Sequence, residues 1–295
     1  IRLGRYPDPN ASSMKHNSKI LSILIYGLST ALGVIALAYP FIFPASIEDT
    51  PMGLARMGEM PLLLTLLLGL CLVVLLYEAQ GQATNTKLIA LLGVLVAINA
   101  ALRFIEIAIP GPGGFSPIFF LIILTGYIYG GKFGFLMGSL TMFVSALVTG
   151  GVGPWLPSQM FAAGWAGMSA PLCRPIVRRL GLENRRGEVV ILALFGILWG
   201  FLYGFIMNLW SWPFIAGPAE QYWSPGAGFA DTLRRYLAYY VVTSLGWDIL
   251  RAIGNMLMIL GFGAPTLRAL RRFQDRFEFN YQPDPSKQIS PEIEP

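Results

Sequence analysis

Apolar runs about as long as a membrane-spanning helix recur from one end of this chain to the other. Lys19–Phe43, Pro61–Tyr77, Lys87–Ile109 and Val189–Trp210 are the plainest of them. Inside hydrocarbon every backbone N–H and C=O must find a partner within the protein, which leaves only helices and closed barrels. The runs are continuous rather than alternating, so the barrel is excluded. Only 13% of residues are charged, about half the usual share of a soluble domain, and mean hydropathy is +0.59. The fold class is therefore an all-α polytopic membrane protein.

Taken in order, residues 1–18 are polar and predict a disordered, cytoplasmic N-terminus, with Met14 read as an initiator. Lys15 and Lys19 before an apolar run suit a signal peptide, but the run is too long for one. Residues 19–86 then form a two-helix transmembrane extension, and residues 87–272 a six-helix membrane domain. Its spans are Lys87–Ile109, Pro117–Tyr129, Phe133–Thr149, Gln159–Val177, Val189–Trp210 and Tyr236–Leu260. Ser211–Leu233 reads as a long outer loop. The tail from Arg268 reads as coil, and 273–295 as a disordered cytoplasmic segment.

Lysine and arginine placement orients the spans. With the N-terminus inside, sixteen of the 21 basic residues fall on inner segments, Arg174, Arg178, Arg179, Arg185 and Arg186 among them. Three (Arg56, Arg234 and Arg235) fall outside, and Arg103 and Arg251 lie within spans. Both termini are then cytoplasmic, in a cell inner or plasma membrane. The net charge of +5 belongs to those inner loops and not to nucleic acid. Two cysteines and one histidine, His16, supply no set of metal ligands, and no cofactor is implied.

The stretch Arg103–Leu172 carries two Gly/Pro-rich, aromatic-tipped loops on either side of an apolar hairpin, so both loops share a face. That face reads as the mouth of a small-molecule site. Ionisable residues inside spans are costly and usually functional. Arg103 with Glu106, and Asp248 with Arg251, are each three apart, on one helix face. Each couple could also be a self-neutralising pair. Asn99, Asn208 and Asn255 are polar residues within spans that could equally be interhelical glue. Trp155 and Trp165, beside Gln159, read as ligand-facing rings, whereas Trp212 reads as part of an interfacial belt.

Small residues recur every fourth position at Gly93, Ala97 and Ala101, at Gly130, Gly134 and Gly138, and at Gly196, Gly200 and Gly204. Such rows let another helix approach closely, from this chain or another. Gly126 to Lys132 nearly matches a phosphate-binding loop. Phe133 replaces its Ser/Thr, and no strand–helix context surrounds it, so the chain has no ATPase motif of its own.

These features resemble the substrate-binding S component of energy-coupling factor (ECF) vitamin transporters. The resemblance rests on the Gly93, Ala97, Ala101 row, on the hairpin F-S-P-I-F-F-L-I-I-L-T-G-Y-I-Y-G-G-K-F-G-F-L-M-G, on G-P-W-L-P-S-Q-M-F-A-A-G-W-A-G, and on A-L-F-G-I-L-W-G-F-L-Y-G-F-I-M-N-L-W. It covers roughly Lys87–Arg272, so the two extra N-terminal helices lie outside it. It implies a six-helix S-component-like bundle that binds a vitamin or related micronutrient at the outer face. The first, third and fifth core loops (Pro110–Ser116, Gly150–Ser158 and Ser211–Leu233) would cover the ligand.

Under this resemblance the substrate-binding residues are Asn99, Arg103, Glu106, Phe115, Trp155, Gln159, Trp165, Asn208, Trp223, Tyr240, Asp248 and Arg251. Gly93, Ala97 and Ala101 dock a membrane T component, and two separate ABC ATPases drive toppling and release inside. A cobalamin-type corrinoid is the first expectation for the substrate, because the outer loop is large. Riboflavin, thiamine-related compounds and queuosine-type bases stay open. The protein is expected to be a transporter component and not an enzyme. The rivals are a lipid-active membrane enzyme and a structural assembly subunit.

Overall fold

In a computed structural model, the described residues are 27, 30, 31, 33, 34, 37 and 86–277, apart from 109–114, 154, 215–217, 219 and 225. They form helices and no strand. We number these α1 (Thr86–Ala108), α2 (Ile118–Tyr129), α3 (Gly131–Thr149), α4 (Leu156–Ser169), α5 (Cys173–Arg179), α6 (Arg186–Ser211), α7 (Phe229–Thr243) and α8 (Leu245–Phe277). Single 3-10 turns, Ala170–Leu172 and Trp212–Phe214, follow α4 and α6. Among the described residues α1, α3, α6 and α8 contain stretches long and apolar enough to cross a bilayer, and α2 is apolar but shorter.

The hub is α2, because its sequence carries no polar face to turn outward. Every residue from Ile118 to Ile128 is buried, and α1, α3, α4, α6 and α8 all touch it. A single residue, Gly130, reverses the chain into α3 with φ at 103°, a conformation that side chains disfavour. The α2–α3 hairpin then closes on α4 through glycine. A Cβ on Gly126 would lie 2.1 Å from the Gly167 carbonyl oxygen, one on Gly134 2.3 Å from the same oxygen, and one on Gly138 2.2 Å from that of Ala163. A second seam joins antiparallel α6 and α8. Gly196 faces Asn255 and Ile259, Gly200 faces Ala252, and Gly204 faces Asp248. Asn255 Nδ2 donates to the Gly196 carbonyl at 2.9 Å and crosslinks that seam.

Four boundaries depart from the sequence expectation. The span expected over Gln159–Val177 stops as an α-helix at Ser169 and restarts at Cys173. Pro171 and Pro175 lack the N–H that a continuous ladder would use there. The span expected over Tyr236–Leu260 is two helices, broken at Ser244 (φ −134°). The first of them begins at Phe229, inside the expected Ser211–Leu233 loop. The second continues to Phe277, so the coil expected from Arg268 is helical over its first ten residues. Leu270 within that segment and Leu267 just before it are buried, and Arg271 is ion-paired to Glu188, which anchors it.

Nearly all of the 19–86 extension and the 1–18 and 278–295 segments lie outside the described residues. The positions described between 27 and 37 are helical. There Gly33 rests on the rings of Trp165 and Phe161, where a Cβ would come within 2.9 Å of Trp165.

Candidate functional site

The two charged couples of α1 and α8 converge with two tyrosines into one cluster. On α1, Arg103 and Glu106 pair at 3.8 Å, each side chain about a fifth exposed (20% and 22%). The segment entering α2 reaches over them, where the Ser116 hydroxyl donates to Glu106 Oε2 at 2.8 Å. Next to it, the Phe115 ring covers Gly254 on α8, whose missing side chain makes the room.

Nearly two turns back along α8, the Asp248 carboxylate is fully buried against Gly204. It accepts from the Tyr240 hydroxyl at 2.8 Å, from Ser244 at 3.3 Å, and from Arg251. The break at Ser244 is what allows this, since it folds α7 back so that Tyr240 reaches the start of α8. The Arg251 guanidinium also lies over the Tyr203 ring, 5.3 Å from its centre, and Nη1 points at the Gly200 carbonyl at 3.4 Å. Ser116 on Glu106 and its neighbour Phe115 on Gly254 bring the α1 pair to the α8 pair. Two guanidinium groups and two carboxylates therefore sit among α1, α6, α7 and α8, balanced in charge. A charge taken out of water needs such partners. The guanidinium N–H groups not used within the pairs can grip a ligand carboxylate, phosphate or carbonyl, and the tyrosine faces can stack on a ring.

Other sequence candidates fall elsewhere. Asn99 is fully buried and ties α1 to its neighbours, donating to the Ile118 carbonyl at 3.2 Å and to Thr141 at 3.1 Å. Its Oδ1, like Asn208 Nδ2 and Trp165 Nε1, is buried without a hydrogen-bond partner among the described residues. Trp165 is not a rim residue: its ring packs on Phe161 at 5.7 Å and beneath Gly33. Trp155 is 42% exposed and folds onto its own loop, donating to the Gly151 carbonyl at 3.1 Å, while Gln159 lies in the first turn of the helix that follows.

Trp223 is buried in a separate aromatic cluster with Trp212, Tyr236 and Tyr239. Trp212 is only 1% exposed, which corrects its reading as a belt residue. Its Nε1 is satisfied by the Gln221 carbonyl, so the ring can sit in the interior of the outer loop.

Sequence reasoning missed Tyr203, Ser116 and Ser244. Tyr203 carried a usable signal, because it lies between Gly200 and Gly204, and a helix that crowds against those glycines must bring its charges to the tyrosine. Ser116 and Ser244 carried none, since a lone serine in a loop or break has no periodicity to reveal its partner.

The three rows of small residues also separate. The rows on α3 and α6 are used inside the bundle. Gly93, Ala97 and Ala101 are exposed, on the side of α1 away from buried Leu92, Val96, Asn99 and Ala100.

Residues 87–262 match the family model described as "ECF transporter, substrate-specific component". No curated protein matches the chain, and no solved structure does.

Proposed function

From the premise that this chain belongs to the substrate-specific components of ECF transporters, we propose that its ligand site is the charged cluster of Arg103, Glu106, Tyr203, Tyr240, Asp248 and Arg251. The family places the chain among transport subunits that work with a T component and ATPases, and not among enzymes. It is a multi-pass membrane protein. The observation that carries the proposal is that adjacent residues link the two intramembrane pairs: Ser116 donates to Glu106 on α1, while Phe115 lies against Gly254 on α8, one turn from Arg251 and its Tyr203 ring. Two separate helix-stabilising pairs would have no reason to meet.

The mechanism follows from the geometry. A ligand arriving at this end meets Arg103 and Glu106, which are only partly covered, before Asp248, which is buried. Its polar groups would exchange places with one arm of an ion pair, while Tyr203 and Phe115 present rings to a flat portion. Micronutrients carrying both an ionisable group and a conjugated ring fit such lining. The corrinoid reading rested on the bulk of the aromatic outer loop, and there Trp212 and Trp223 pack against each other's neighbours. The cluster favours a smaller vitamin-like ligand.

This end is the extracytoplasmic one in the proposed topology. The arginine-rich end, at Glu188, lies about 24 Å further down α6 from Gly204 at 1.5 Å per residue. Both termini are then cytoplasmic. The exposed Gly93, Ala97, Ala101 face is the docking surface for the T component, with two ATPases beneath it. The test is native mass spectrometry of protein purified from cells fed a vitamin mixture. A retained small-molecule mass that disappears in Asp248→Asn and Arg251→Gln, with both variants monodisperse, supports the site. An adduct retained by both variants removes it.

A further inference from the structure

The other end of the bundle carries a second polar site, of different chemistry. With 12 residues, α2 is about 18 Å long, well short of the ~30 Å hydrocarbon layer. Where it stops, α5, the α5–α6 turn and the C-terminal part of α8 continue, and they enclose a recess of about 450 Å³. Its floor is the end of α2, with Tyr127, Ile128 and Tyr129 in its lining.

Three arginines line the recess, and they are held differently. Arg271 is matched by buried Glu188, which also accepts from the Tyr127 hydroxyl at 2.6 Å and from the Asn184 amide at 3.1 Å. Arg178 pairs loosely with Glu183 at 3.6 Å, both side chains well exposed. Arg174 has no carboxylate partner among the described residues. Its Nε and Nη2 donate to the last carbonyls of α2, those of Tyr127 at 2.7 Å and Ile128 at 2.8 Å. Those dipoles orient the guanidinium without neutralising it, and the rest of its fork remains for an acceptor. The lining thus holds three cations against two carboxylates, with the surplus on a half-buried arginine that bonds cannot swing away.

The level of the recess follows from α5. Cys173 and Val177 face the core, Arg174 and Arg178 face the recess, and Leu172, Ile176 and Leu180 form an exposed apolar row on another side, 68%, 48% and 58% exposed. On a membrane protein such a row sits in the acyl region, which puts the arginine face at headgroup depth. A phosphate supplies the one missing negative charge and matches the arginine fork geometrically.

We propose that this recess binds the phosphate of an anionic phospholipid headgroup, with Arg174 and Arg178 as its ligands and α5 as the lipid-facing wall. The proposal rests on membrane embedding alone and is independent of the transport ligand. The test is native mass spectrometry of the full chain in detergent, titrated with phosphatidylglycerol or with phosphatidylcholine of the same acyl chains. Phosphatidylglycerol should be retained at about tenfold lower concentration, the effect of one or two basic side chains at a membrane surface. Arg178→Glu and, separately, Gln274→Glu, which adds a negative charge to the α8 part of the lining, should abolish that preference. Arg179→Glu, the same charge change outside the recess, should keep it. Equal retention of the two lipids, or a preference that survives both recess variants, would overturn the proposal. Displacement of the lipid by inorganic phosphate would overturn the lipid assignment and leave a soluble phosphate as the ligand.

Discussion

Gly93, Ala97 and Ala101 on α1 and Gly134, Gly138 and their partners on α3 and α4 share one spacing, yet the structure uses them in opposite ways. On α3 the glycines are already consumed, because backbone of α4 lies where a side chain would begin. On α1 the row is exposed, and a Cβ on Gly93 would meet nothing within 4 Å among the described residues. Small residues on a spanning helix serve close approach. A filled row therefore reports folding, while an open one is available for association. The difference could not be read from the rows themselves, since it depends on which neighbour occupies each face.

The sharpest way to break this comparison is to enlarge both rows. Gly134→Leu should destabilise the bundle by about 3 kcal/mol or more, the upper end for forcing atoms into a packed interior. Loss of monodisperse protein on size exclusion would register it. A stable, ligand-binding Gly134→Leu protein would mean that the α3–α4 seam is not as close as described. Gly204→Ala should have a smaller effect, about 1–3 kcal/mol in thermal unfolding. Its added methyl would fall 1.9 Å from an Asp248 carboxylate oxygen, so ligand retention should be lost along with that stability. Ala97→Leu should change stability by less than about 0.5 kcal/mol, as an exposed substitution does. Unfolding midpoints of the parent and this variant should coincide.

A further contrast concerns ligand affinity, at a tryptophan that sequence reasoning favoured. Trp155→Ala should remove one loop hydrogen bond, about 1 kcal/mol, and leave ligand affinity unchanged. A large affinity loss would bring Trp155 back into the site.

The helical class was legible because hydrophobic length alone decides it, and the α2–α3 hairpin because two long apolar runs meet at Gly130. Helix ends were less legible. Pro171 and Pro175 were visible, but an apolar average runs straight through them, and Ser244 gives no warning that α7 and α8 are separate. The charged pairs were legible because charge inside a span stands out against its neighbours. Their convergence was not, since α1 and α8 are linked through Ser116 and Phe115, loop residues without a periodic signal. Tryptophan misled. Trp165 and Trp212 lie near predicted loop faces, but each ring is large enough to fill interior volume, and Trp212 also finds a carbonyl for its N–H.

If one end of this bundle holds a ligand while the open row on α1 holds a transport partner, a single experiment can separate the two. The chain would be co-expressed with a T component and its ATPases, as parent and as Ala97→Trp, and each preparation passed over size exclusion with its bound small molecule measured by mass spectrometry. The variant should retain the same small molecule as the parent but elute alone. A variant that still elutes with the T component, or one that loses its small molecule together with its partner, would contradict it.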